Sequence, residues 1–183
     1  MNPSTPVPII LGIDPGSRLV GFAAITPIHA RPVHPKHFCI AHAGVLKCKD
    51  SMDIVLRIGH LHQAMHGLIG EIQPTVCVLE SAFMGINPRS ALLLGQARGA
   101  LLAACARFGL PIKEISPSEV KRAIAGKGNA DKKQVAEALA QLMGFDRQGM
   151  SYDVSDALAI ALTFGLQGGL QGYSNKPFVI PRP

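Results

Sequence analysis

Four carboxylates stand where the surrounding sequence is apolar. Asp14 follows the run Pro8-Ile9-Ile10-Leu11-Gly12-Ile13 and precedes the turn Pro15-Gly16-Ser17, and Glu80 closes the run Thr75-Val76-Cys77-Val78-Leu79. Asp153 and Asp156 open the stretch Ala157-Leu158-Ala159-Ile160-Ala161-Leu162. An unpaired buried carboxylate costs on the order of several kcal/mol, so something positive is expected beside them. Residues three apart on a helix share a face, which lets Asp153 and Asp156 point at one spot. Two strand ends and one helix start would then converge, and without cations the acids would repel and raise one another's pKa. Hard oxygen donors with no Cys or His set fit magnesium, with manganese as the alternative. Two such ions about 3.5–4 Å apart would activate a water and stabilise the leaving oxygen of an in-line phosphodiester displacement. The chemistry expected is hydrolysis of a nucleic-acid backbone. Taken singly, Asp14 could instead open a turn before Pro-Gly and Asp153 could cap a helix. Glu80 has neither role available, and the four together favour a site.

A second constellation is basic. Lys121, Arg122, Lys127, Lys132 and Lys133 surround the loop Gly126-Lys127-Gly128-Asn129, which leads into a helix. Backbone amides at a helix start favour phosphate, and glycine lets a strand approach closely, so phosphate contact is expected over a merely solvated face. Phe83 lies in Ala82-Phe83-Met84-Gly85-Ile86-Asn87-Pro88-Arg89, which reads as an exposed loop. An exposed aromatic beside a nuclease site could stack on an unpaired base, whereas a core anchor is the ordinary reading of an aromatic. His62 and His66, four apart, and the group His29, His34 and His37 could suggest zinc, but no acid or Cys completes either set.

The elements that must position these residues follow from periodicity. A hairpin is expected over Pro8 to Ile13 and Val20 to Ile25, then an irregular connection through Pro27, Pro32 and Pro35, and a third strand from Phe38 to Leu46. Ile54, Ile58, Leu61, Met65, Leu68 and Ile72 recur at helical spacing and predict a helix from Met52 to Ile72. A buried strand over Thr75 to Leu79, a helix from Ser90 to Phe108, a strand from Pro111 to Ile115 and a short helix from Ser118 to Ala125 come next. Helices from about Ala130 to Met143 and Asp153 to Leu166 complete the order. This is an α/β chain with a five-stranded mixed sheet, antiparallel on one side and parallel on the other, matching the ribonuclease H-like arrangement. Residues 8–167 are expected to form one nuclease domain between a flexible amino end, 1–7, and a flexible tail, 168–183.

The 183 residues are 48% hydrophobic and 16% charged, enough for a sizeable core and unlike a disordered chain. Eighteen Lys and Arg against 12 Asp and Glu give +6, which favours a polyanionic partner. Cys39, Cys48, Cys77 and Cys105 lie apart without CxxC spacing, as expected of reduced thiols. With no signal-peptide pattern, and with Gln96 and Arg98 interrupting the longest apolar helix, a cytoplasmic protein without a membrane partner is expected.

The segments Ile10-Leu11-Gly12-Ile13-Asp14-Pro15-Gly16-Ser17-Arg18, Leu79-Glu80-Ser81-Ala82-Phe83-Met84, Leu94-Gly95-Gln96-Ala97-Arg98-Gly99 and Asp153-Val154-Ser155-Asp156-Ala157-Leu158-Ala159-Ile160-Ala161 resemble the RuvC family of Holliday-junction resolvases. The resemblance spans about Pro8 to Leu166. It implies a homodimeric, magnesium-dependent endonuclease that makes two symmetric nicks in a four-way DNA junction during recombination and repair. It further implies catalysis and metal binding at Asp14, Glu80, Asp153 and Asp156, with Lys121 and Lys132 near the scissile strand and Phe83 stacking at the junction. A branch-migration complex of the RuvA and RuvB type is implied as partner. The helix Ser90 to Phe108 could pack on the core or on its copy in the dimer. Two rival readings are a junction-binding module without catalysis and an actin-like ATPase. The second needs a further domain and an adenosine motif for which this chain has no room.

Overall fold

The structure is a computed structural model in which residues 7–81, 87–171 and 173 are described. Five strands form one sheet in the order β3-β2-β1-β4-β5: β1 (Ile10–Asp14), β2 (Leu19–Pro27), β3 (Phe38–Lys47), β4 (Val76–Glu80) and β5 (Ile112–Ile115). The pairs β1/β2 and β2/β3 are antiparallel, while β1/β4 and β4/β5 are parallel. Helices α1 (Ile54–Ile72) and α2 (Pro88–Arg107) cover one face, and α3 (Pro117–Ala125), α4 (Lys132–Met143) and α5 (Tyr152–Leu166) cover the other. This is the mixed α/β architecture the periodicity predicts.

Alternation along the strands assigns the faces. On β1, Ile10 packs with the α5 layer, and Leu11 and Ile13 pack with the α1 and α2 layer. On β4, Val76 and Val78 face α5, and Cys77 and Leu79 face the opposite side. Asp14 and Glu80 therefore share the α5 face, each as the last residue of its strand.

Side-chain caps move several boundaries from their expected places. Asp53 accepts from the Leu56 amide, so α1 starts at Ile54 rather than Met52. Asp131 and Gln134 form a capping box, so α4 starts at Lys132 rather than Ala130. Asn87 caps α2, with Pro88 in its first turn, so Pro88 and Arg89 belong to the helix and not to an exposed loop. The proline-rich connection is also shorter than expected. Thr26 and Pro27 still pair with Cys39 and Phe38, and Pro35–His37 make a single 3-10 turn. Pro27 lies beyond the end of β1, whose pairing stops at Ile25, so its missing N–H costs no bond on that side.

On α2, Ala97, Leu101 and Ala104 are buried in the core, whereas Leu92 and Leu94 are exposed. The buried face of α1 includes Arg57 beside Leu61, Met65, Ile69 and Ile72. All four cysteines are free. No helix among the described residues is long and apolar enough to cross a membrane. At the start of the expected tail, Tyr173 lies edge-on to Phe164 with centroids 6.3 Å apart. Residues 1–6 and 174–183 lie outside the described residues.

Candidate active site

The parallel pairing of β1 and β4 carries Ile13 opposite Leu79, so the next residues, Asp14 and Glu80, emerge side by side from adjacent strand ends. The third contribution comes from α5, which crosses the same face. Two glycines admit it. A Cβ on Gly12 would lie 2.2 Å from the Ala157 carbonyl oxygen, and one on Gly21 would lie 2.0 Å from that of Asp153. Gly21 pairs directly with Asp14 across the hairpin, so the first turn of α5 sits against the very strand position that faces the acid. Ser151, not Asp153, caps the helix by accepting from the Val154 amide. Asp153 is thereby free of the capping role that could have explained it.

Asp14, Glu80 and Asp156 line one open cavity of about 90 Å³ together with Lys121 and Lys132. Val120, Val135 and Ile160 form its apolar wall. Asp153 does not line it. The Lys132 ammonium donates to Asp156 at 2.8 Å, and that hydrogen bond is the main reason its own pKa rises. Asp14 is pushed up to about 7, first by burial and then by the charges of Asp156 and Glu80, with Lys132 opposing. Burial also raises Glu80, followed by Asp156, against the lowering pull of Lys132, Lys121 and Arg98. These mutual effects are those of acids within electrostatic reach of one another. Among the described residues no three His, Cys, Asp or Glu side chains are arranged to hold a metal ion. The Lys132 ammonium supplies the cation that contacts Asp156, and the repulsion left among the acids adds to burial in raising Asp14.

The donor set suits a hard divalent cation nonetheless. It consists of carboxylate oxygens, and it holds a proton on Asp14 near neutral pH that a cation would displace. Asp14, Glu80 and Asp156 are the side chains that would hold it.

The basic residues separate. Lys121 and Lys132 reach the cavity; Lys133 pairs with Glu137 at 3.9 Å along α4. Arg122 lies in the last turn of α3, where its carbonyl accepts from Gly126, whose φ of 75° favours glycine. Lys127 follows in the same loop, its carbonyl accepting from Ala130. Phe83 lies outside the described residues. In the histidine sets, the rings of His29 and His37 lie tilted with centroids 4.4 Å apart, and His34 and His37 accept backbone amides of Lys36 and Val33 through Nδ1. His62 faces His66, which lies against Phe108.

Sequence reasoning missed Gly12 and Gly21, whose signal was a glycine interrupting each of two β-rich runs. It also gave Arg98 no role of its own, reading it as a break in an apolar helix and as part of the Leu94–Gly99 segment of the resemblance.

An acid at the ends of two neighbouring parallel strands, under a helix that brings more, on a sheet of order β3-β2-β1-β4-β5, defines a ribonuclease H-like protein. The comparisons narrow the class. The family model for "Crossover junction endodeoxyribonuclease RuvC" matches residues 10–164. A protein of that name from Chlorobaculum parvum is 40% identical over 153 residues, covering 84% of this chain and 79% of its own. One from Anaeromyxobacter dehalogenans is 44% identical over 154 residues, covering 84% and 78%. Thermus thermophilus RuvC, solved in complex with a Holliday junction substrate, superposes with a TM-score of 0.77 at 27% identity, covering 91% of this chain and 98% of its own. The chain belongs to the RuvC family and is a nuclease of that family.

Proposed function

We propose that this chain resolves four-way DNA junctions by paired symmetric nicks, using two magnesium ions held by Asp14, Glu80 and Asp156 together with Asp153, whose charge also acts on Asp14 and Lys132. The observation that carries the reading is the single cavity in which Asp14, Glu80 and Asp156 meet Lys121 and Lys132. The resolved complex of the Thermus relative with junction DNA supports the substrate.

The bound ions would activate the attacking water and take up charge on the leaving oxygen. This chain's residues do the rest. Lys121 and Lys132 neutralise the phosphate of the scissile strand, so it approaches a cavity otherwise lined by acids. Lys132 leaves Asp156 for that phosphate, freeing a carboxylate oxygen. The water oxygen forms the new P–O bond as the sugar oxygen departs. Arg122, Lys127 and Lys133 hold the neighbouring backbone outside the cavity, and Phe83 stacks at the branch point. A homodimer places two such sites on symmetric strands. A branch-migration complex of the RuvA and RuvB type delivers the junction in the cytoplasm, and residues 8–167 form the nuclease domain that does the work.

The test is a synthetic four-way junction incubated with the full chain in magnesium, manganese or chelator. Paired nicks should need the ion, and Asp14→Asn should bind the junction without cutting it. Binding with no nicking under either ion would instead show a junction-binding module.

A further inference from the structure

Arg98 is one of two buried arginines among the described residues, with 8% of its surface exposed. It rises from α2 on the face of the sheet opposite the acidic cavity. Its guanidinium reaches two acceptors: the backbone carbonyl oxygen of Glu80 at 2.6 Å and the Glu114 carboxylate at 2.7 Å. Glu114 sits on β5 opposite Leu79, hence on the α2 side of the sheet, and is half exposed. Burying a guanidinium is costly unless it is paired and its donors are used. Glu114 alone would pair it and tie α2 to β5. The other short bond is spent on the carbonyl of the residue whose side chain projects into the cavity on the far face.

That carbonyl needs holding. Glu80 is the last residue of β4, and the amide of Ser81, next in the chain, donates to the Ile115 carbonyl at 2.8 Å. The register of β4 with β1 ends one residue earlier, at Leu79, so β5 and Arg98 are left to fix the strand's last residue. Asp14, at the neighbouring strand end, is held by pairing with Gly21. Glu80 is in register with Ile115 of β5, where the Ser81 amide closes the ladder, and Arg98 takes its carbonyl.

We propose that Arg98 is a positioning residue that fixes the backbone of Glu80 through its carbonyl and so sets the cavity's affinity for divalent metal, with Glu114 anchoring the guanidinium. This rests on the metal-binding reading of the cavity. Outer partners that orient a ligand typically change metal affinity or activity by about 10–100-fold when removed. The positive charge behind Glu80 acts in the same direction as Lys121 and Lys132, favouring the ionised carboxylate.

The experiment titrates manganese into the full chain without DNA, reading free ion by electron paramagnetic resonance, and repeats the titration for Arg98→Met, Arg98→Lys and Glu114→Ala. Arg98→Met should weaken manganese binding about 10-fold. It should also raise the magnesium needed for half-maximal junction nicking by a similar factor, with junction affinity in chelator unchanged. Arg98→Lys should recover part of the loss, since an ammonium reaches one acceptor but not both. Glu114→Ala, distant from the cavity, should weaken the ion several-fold. Wild-type manganese affinity in Arg98→Met overturns the proposal. If that variant does not fold, wild-type affinity in both Arg98→Lys and Glu114→Ala overturns it. A wild-type chain that binds manganese yet never nicks would defeat the functional reading while leaving the role of Arg98 standing.

Discussion

Replacing Asp14 by Asn should stabilise the metal-free protein, and increasingly so as pH rises. Asp14 ionises near 3.8 when exposed but holds its proton to about 7 in the folded chain, because burial and the charges of Asp156 and Glu80 oppose its charge. Between those values the folded state binds more protons than the unfolded state, so folding stability falls as pH rises. The penalty is absent below about pH 4 and complete above about pH 7. A rise of roughly three pH units corresponds to ~4 kcal/mol at about 1.36 kcal/mol each. Asparagine has nearly the same shape and cannot ionise. Allowing for relaxation around the site, Asp14→Asn should gain about 2–4 kcal/mol at pH 8 and little at pH 4.5. For a domain of this size that is a melting temperature about 5–15 °C higher at pH 8. The assay is thermal unfolding followed by circular dichroism in chelator, for both proteins, across pH 4.5 to 8. Adding magnesium at pH 8 should then raise the wild-type value and close much of the gap, since the ion takes the place of the missing positive charge. A gap that stays constant with pH, or an Asn variant less stable at pH 8, would refute the argument that Asp14 sits in an uncompensated acidic cluster.

Three further outcomes follow from the geometry. Gly21→Ala puts a Cβ 2.0 Å from the Asp153 carbonyl oxygen and should displace the start of α5, costing about 1–3 kcal/mol and at least about 10-fold in nicking. Gly59→Ala in α1, where a Cβ meets nothing within 4 Å, should leave nicking unchanged and stabilise slightly, and equal behaviour of the two variants would remove the close-approach argument. Junction affinity should fall steeply with salt, and Arg122→Ala combined with Lys127→Ala should lower the slope of log affinity against log salt by about 2; an unchanged slope would take both off the DNA. Manganese affinity, measured without DNA, should weaken about tenfold per pH unit below about 7, where each ion bound must displace the Asp14 proton, and a flat profile would exclude Asp14 as a ligand.

The four acids and their local settings were legible from sequence, because a carboxylate ending an apolar strand stands out against period-two burial and two acids three apart must share a helix face. So were the order of the elements and the mixed sheet, since apolar periodicity and turn residues are local signals. The helix starts were misplaced by one or two residues because Asp53, Asp131 and Ser151 turn their side chains back onto the backbone, a choice made by rotamers rather than by hydrophobic pattern. What tertiary structure alone decided was convergence. Nothing local to Asp14 places it beside Glu80, 66 positions away in the numbering; the parallel pairing of β1 with β4 does that. Nothing in the basic stretch separates Lys121 and Lys132, which line the cavity, from Lys133, which pairs along its own helix. Gly12 and Gly21 matter only because α5 lies against them, and Arg98 only because its guanidinium reaches the backbone carbonyl of Glu80. Residue type sets what each side chain is able to do, and long-range pairing, which no short window of sequence contains, sets which of them meet.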